Sequence, residues 1–215
     1  MQSVGFALAK QNTSRAMWTD LMTHAAQQLT LAFAALGLAL LAGVPLGTLA
    51  AQYPPIRNVA LALAGIGRTI PSLAVLMLLL PVLGVGAPPA IAALALLAIP
   101  PIVISVDLGI RGVPAPALDA AAGMGMTGAE RFARVVVPLA LPVSFSGART
   151  AATETIASAT LATFIGAGGL GDEIVRGLQT DNPPLLVAAA VTVALLAIAV
   201  ELLLGAVSRR LEARV

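Results

Sequence analysis

The sequence predicts an all-α, polytopic membrane protein with about five transmembrane helices, and three observations carry that prediction. Hydrophobic residues make up 59% of the 215 residues and charged residues only 10%, with a mean hydropathy of +0.97. A soluble globular domain is about 45–50% apolar and roughly 25% charged. Four stretches, residues 29–51, 59–83, 88–110 and 184–207, reach the ~20 mostly apolar residues that a bilayer-crossing helix needs. A fifth, residues 142–165, is long enough but carries Arg149, Glu154 and many hydroxyls, so it is expected to face protein or water rather than lipid.

The stretches are connected by short polar segments. Residues 1–24 are polar and mixed, an expected extracytoplasmic segment, and they lack the basic start, apolar core and small-residue cleavage site of a signal peptide. The bias of Lys and Arg in the loops sets the orientation. With five spans, Arg57, Arg111, Arg131, Arg134, Arg209, Arg210 and Arg214 share one side, and Lys10, Arg15 and Arg176 the other. The C-terminus and the loop after the third span are therefore expected in the cytoplasm, and the N-terminus outside. Asp107 and Arg111 form an acid-first i,i+4 pair at the inner end of the third span. Glu201 is expected near the inner surface, close to Arg209. Gly43 and Gly47, four apart, allow a close helix approach in the first span.

Several function classes are excluded or weakened. A net charge of +2 with no basic run interleaved with aromatics argues against nucleic acid. Cysteine is absent and His24 is the one histidine, so no metal site is expected. No Ser/His/Asp grouping suggests nucleophilic chemistry, and the acids are too dispersed for an enzyme with its site in the bilayer. Gly166, Gly168 and Gly171 satisfy G-x-G-x-x-G, but that spacing marks a dinucleotide site only after a strand and within a βαβ unit. They read instead as turn and packing glycines. No G-x4-G-K-[ST] is present, so this chain alone cannot hydrolyse ATP.

Two segments stand out. The first is DAAAGMGMTGAERFARVVVP, residues 119–138: a helix with Asp119 in its first turn, a break at Gly123, Gly125 and Gly128, and a second helix over 129–137 ending before Pro138. A loop of this size with internal helices suits a knob that a partner grips. The second is the polar fourth span, where Ser146, Thr150, Glu154 and Ser158 recur at helical spacing on one face. The hydroxyls suit hydrogen bonds to neighbouring helices. Glu154 suits a water-filled path, because a charge at the bilayer centre costs at least about 2.5–3.5 kcal/mol. Arg68, in the second span, falls at a depth similar to Glu154, and Pro71 and Ser72 beside it would loosen that helix. Arg68 and Glu154 are therefore expected to interact, with Arg68, Ser72, Ser146, Thr150, Glu154 and Ser158 as the candidate pathway residues.

The chain resembles the permeases of binding-protein-dependent ATP-driven importers. Asp119-Ala120-Ala121, Gly125, Val135 and Val137-Pro138 match the signature EAA-x3-G-x9-I-x-LP, with Asp for Glu, Val for Ile and Val for Leu. GVPLG at 43–47, RTIPS at 68–72 and IPPI at 99–102 resemble further family segments in the same order. IGAGGLGDEIVRGL at 165–178 closely resembles the branch that imports quaternary amines such as glycine betaine, choline and carnitine. The resemblance implies a fold like that of the methionine-importer permease, with a transmembrane permease domain at 25–208, a coupling loop at 112–140 and a cytoplasmic tail at 209–215. It also implies a coupling helix built on Asp119, Ala120, Ala121, Gly125, Val135 and Pro138 that inserts into a separate ATPase holding ATP and Mg²⁺. A second copy of the chain would complete the path across a bacterial-type inner membrane, and a substrate-binding protein would dock outside. The aromatics Phe6, Trp18, Phe33, Tyr53, Phe132, Phe145 and Phe164 are dispersed, so no aromatic cage for a quaternary amine is expected in this chain. The alternatives are an amino acid or another small solute as cargo, an intramembrane enzyme, or a structural or receptor-like membrane protein.

Overall fold

The computed structural model describes residues 2–213, with side chains from Met17 onward. No strand occurs among them. Helix α1 runs over Gln2–Gln52, and its part from Met17 is apolar and long enough to cross a bilayer. It crosses position 24 unbroken, and Leu21 and Ala25 are buried in the same bundle as Leu170 and Ala189. The side chains of the first sixteen residues of the expected N-terminal segment lie outside the described residues, as do Arg214 and Val215 of the tail.

The second span departs from the single helix expected over 59–83. It is two helices, α2 (Pro54–Gly67) and α3 (Ser72–Leu83), bent by 100° at the break. Pro71 has no amide to continue the ladder, and its ring disfavours helical backbone at Ile70. The last amides, of Arg68 and Thr69, still reach the carbonyls of Ala64 and Ile66, and α3 restarts after Pro71. The proline does not merely loosen this helix; it breaks it.

Helix α4 (Ala87–Arg111) is the centre of the bundle, packed against α1 on one side and against the fourth span on the other. Pro100 and Pro101 lie inside it, both buried. Helix α5 (Ala115–Gly123) starts four residues before Asp119, so the acid sits mid-helix and not in the first turn. The reason is Pro114 at the N-cap with Pro116 at N2, which places the helix start where missing amides cost nothing.

The helix expected to stop before Pro138 does not stop. Helix α6 (Gly128–Arg131) passes through a π turn, Phe132–Val136, into α7 (Val137–Ala159) and a closing 3-10 turn, Thr160–Ile165. The Val137 amide reaches back to the Phe132 carbonyl, and this wider turn absorbs the donor that Pro138 lacks. Gly128–Ile165 is thus one 38-residue rod, about 57 Å at helical rise. The hydrocarbon core is about 30 Å thick, so the rod is longer than one crossing requires. Helix α8 (Leu170–Gln179) is short, and α9 (Pro183–Glu212) is the last span.

Glycines set the helix spacing. A methyl at Gly43 would lie 2.8 Å from Ile102 Cγ2, and one at Gly47 would lie 2.7 Å from Val106 Cβ, so both glycines are where α1 meets α4. On the other side of α4, a methyl at Gly147 would meet Ser105 at 2.5 Å and the Pro101 carbonyl at 2.6 Å. Gly147→Ala is therefore expected to lose about 1–3 kcal/mol through overpacking. Gly37→Ala, with open space around it, should be neutral or stabilising. Thermal unfolding of the two variants in detergent checks this; equal midpoints would show that α4 and α7 are not in this close contact.

Candidate functional site

The 119–138 segment folds around a small apolar patch. Val113, Val136 and Ala140 are buried there, with Leu118, Phe132 and Leu139 packed against them, which ties α5 to the base of the long rod. Ala121 is buried and Val135 half-buried, whereas Asp119, Ala120, Gly125 and Pro138 are exposed. Gly125 has φ +80. Its amide bonds to the Ala122 carbonyl, and the Met126 amide bonds to the Ala121 carbonyl, the paired closure that ends a helix on a left-handed residue. The rod then begins in a reciprocal cap. The Glu130 amide donates to Thr127 Oγ1, and the Thr127 amide donates to Glu130 Oε2. The Thr127 amide, and then its hydroxyl, hold the Glu130 carboxyl below the usual carboxylate range. At the C-terminal end of α4, Arg111 donates to both oxygens of the fully buried Asp107, at 2.9–3.1 Å.

The six candidate pathway residues divide into two groups. Arg68, Ser72, Glu154 and Ser158 line one cavity of about 300 Å³ at the break between α2 and α3. Arg68 Nη2 lies 3.9 Å from Glu154 Oε1, and both side chains are about half exposed, 51% and 49%. Ser146 and Thr150 lie elsewhere, between α7 and α9 beside Arg149 and Glu201. Their hydroxyls are satisfied within their own helix, Ser146 donating to the Val143 carbonyl and Thr150 to the Ser146 carbonyl. Glu201 pairs with Arg149, not with Arg209 as its height along the span suggested. The Arg149 guanidinium fits because it packs over Gly205, where a methyl would stand 3.2 Å from Nη2.

Sequence reasoning missed a set of buried polar residues at the other end. Gln28 is fully buried. Its Nε2 donates to the Ile156 carbonyl at 2.8 Å, and its Oε1 accepts from the Leu170 amide at 3.2 Å. The Gly169 amide donates to Gln27 Oε1. Adjacent glutamines in an apolar helix were visible; their partners, more than a hundred residues away, were not. Glu173, 1% exposed, lies 3.1 Å from both His24 Nδ1 and Arg176 Nη1, so His24 faces a carboxylate. The glycines before and at the start of α8 turn the chain and pack closely. Gly166, Gly168 and Gly169 have positive φ, and Gly171 lies directly against the Thr160 carbonyl.

Residues 43–213 match the family described as the inner membrane component of binding-protein-dependent transport systems. The chain belongs to that family. It is a multi-pass inner membrane permease subunit of an importer, a transport component and not an enzyme. The permease is 38% identical over 192 residues to the carnitine transport permease protein OpuCB of Listeria monocytogenes, covering 89% of this chain and 88% of that one. It is 39% identical, at the same coverage, to the choline transport system permease protein OpuBB of Bacillus subtilis strain 168. Its fold matches a chain in the inward-facing structure of the MetNI methionine ABC transporter, with a TM-score of 0.78 at 22% identity, covering 91% of this chain and 98% of the other. The family accounts for the apolar composition and the five motifs in order.

Proposed function

We propose that two copies of this permease form the translocation path of an ATP-driven importer for a quaternary-amine osmoprotectant such as glycine betaine, choline or carnitine. The observation that supports this cargo is its relatives, named for carnitine and for choline at 38% and 39% identity over 89% of the chain. In this reading the 1–24 segment lies outside and the 209–215 tail is cytoplasmic. The 112–140 loop docks on a separate ATPase that holds ATP and Mg²⁺, and a substrate-binding protein delivers the solute from the other side. The chain itself binds no cofactor.

None of the described aromatic side chains lines the Arg68–Glu154 cavity. Choice of the head group is accordingly left to the binding protein. The test is to purify the permease with its ATPase and binding protein and measure ATP-driven uptake in proteoliposomes. Glycine betaine, choline or carnitine should accumulate, and the ATPase should co-purify. Uptake of an amino acid with no response to any quaternary amine would replace the cargo. Discrimination by the permease alone between solutes of the same charge pattern, such as glycine betaine and carnitine, would remove the division of labour.

A further inference from the structure

The break at 68–71 exposes two helix ends inside the span. The last turn of α2 presents carbonyls, and the first amides of α3 have no side-chain cap. Broken helices of this kind, deep in a bilayer, are tolerated where they line a cavity, and their N-terminal ends favour anions. The cavity they border is also lined by one cation and one anion. Among the described residues neither Arg68 nor Glu154 makes a side-chain hydrogen bond, and at 3.9 Å their contact is loose. Half exposed and without a hydrogen bond, such a pair is cheap to open. Its two charges are thus available to something else.

Resting on the cargo proposed above, we infer that the Arg68–Glu154 cavity is a two-ended subsite for a zwitterion. The Arg68 guanidinium and the uncapped start of α3 at Ser72 take the carboxylate of the solute, by hydrogen bonds and charge. Glu154 takes the quaternary ammonium, which has no N–H and needs only a counter-charge. Leu97, on the α4 wall of the same cavity, receives its methyl groups. The volume of about 300 Å³ is at the lower end of small-molecule sites, about 300–1,000 Å³, which suits a solute of this size. A solute bearing both charges replaces the ion pair with two ion pairs of its own, so neither protein charge is left bare during passage. A cation lacking the carboxylate leaves Arg68 uncompensated. The cavity therefore reads the charge pattern of the solute, while the head group is read outside.

The chain contains no cysteine, so Ser158→Cys introduces a single reporter into the cavity. In the purified permease–ATPase complex, the rate of thiol modification of this residue is measured against glycine betaine and against choline. At ten times the half-protecting concentration of glycine betaine, labelling should slow about tenfold, following site occupancy. Choline should protect more weakly. Arg68→Gln should abolish the preference for glycine betaine over choline, and Glu154→Gln should abolish protection by both. Arg68→Lys and Glu154→Asp, which keep the charges, should retain partial protection. Equal protection by the two solutes in the parent protein, or betaine protection unchanged by Arg68→Gln and Glu154→Gln, overturns the subsite. Betaine uptake by the whole complex without any protection also overturns it, and leaves the importer reading standing. Absence of uptake of every quaternary amine overturns that reading and the subsite with it.

Discussion

Gly125→Leu is expected to abolish coupled transport, by at least about tenfold, which corresponds to about 1.4 kcal/mol, while the ATPase continues to hydrolyse ATP. Nothing lies within 4 Å of where its Cβ would be, so the new side chain meets no clash inside the permease. The disturbance is instead conformational and external. At φ +80 a residue with a Cβ is strained by about 1–2 kcal/mol, which loosens the closure by which the Gly125 and Met126 amides end α5. The leucine also projects from an exposed turn, where the ATPase is proposed to grip. Gly125→Asn separates the two causes, because asparagine tolerates the left-handed region. If strain dominates, Asn should restore most of the transport; if the partner's cleft is too narrow, both variants should fail. The measurements are uptake and ATP hydrolysis by the reconstituted complex. Normal transport by Gly125→Leu, or a complex in which the ATPase holds chiefly the C-terminal tail, would remove the 119–138 segment from the coupling role.

The second large effect is expected from reversing charges at the broken span. Arg68→Glu and Glu154→Arg each put two like charges where opposite ones now stand 3.9 Å apart. Because both groups are about half exposed, the pair itself contributes modestly, about 0.2–1 kcal/mol. The larger loss comes from an uncompensated charge at depth, about 2.5–3.5 kcal/mol on insertion scales, which should reduce uptake by a factor of ten or more. The double exchange restores neutrality and should recover more uptake than either single variant. Recovery should stay incomplete, because a carboxylate at position 68 would face the carbonyl end of α2. A double exchange no better than the single ones would show that the two residues act separately.

Much of this protein was legible from local pattern. Lengths of apolar sequence located the spans, because a bilayer core about 30 Å thick demands about 20 such residues whatever their partners. The Asp107–Arg111 pair followed from i,i+4 spacing on one helix, and the Gly43/Gly47 spacing pointed to a close helix approach, which the structure places against α4. Equal depth even brought Arg68 and Glu154 together, since rise per residue converts sequence position into height.

Rotation about a helix axis does not follow from height, and that is where the sequence stopped. Arg149 and Glu201 meet because Gly205 leaves room for a guanidinium between α7 and α9, a fact of two packed surfaces. Ser146 and Thr150 lie on the same stripe as Glu154, yet the packing sends them to a different cavity. Prolines were ambiguous for a related reason. Pro71 breaks its span by 100°, whereas Pro138 is carried through by a π turn that neighbouring residues must sustain. A missing amide announces a vulnerable point; whether the helix breaks there depends on what covers the orphaned carbonyl. Gln28 is the extreme case, bonding to Ile156 and Leu170 across more than a hundred residues. By itself the sequence determined which segments are long and apolar enough to cross a bilayer and how far along each one its charges lie. Only the tertiary structure decided which charges face one another, because packing, not composition, sets the rotation of one helix against the next.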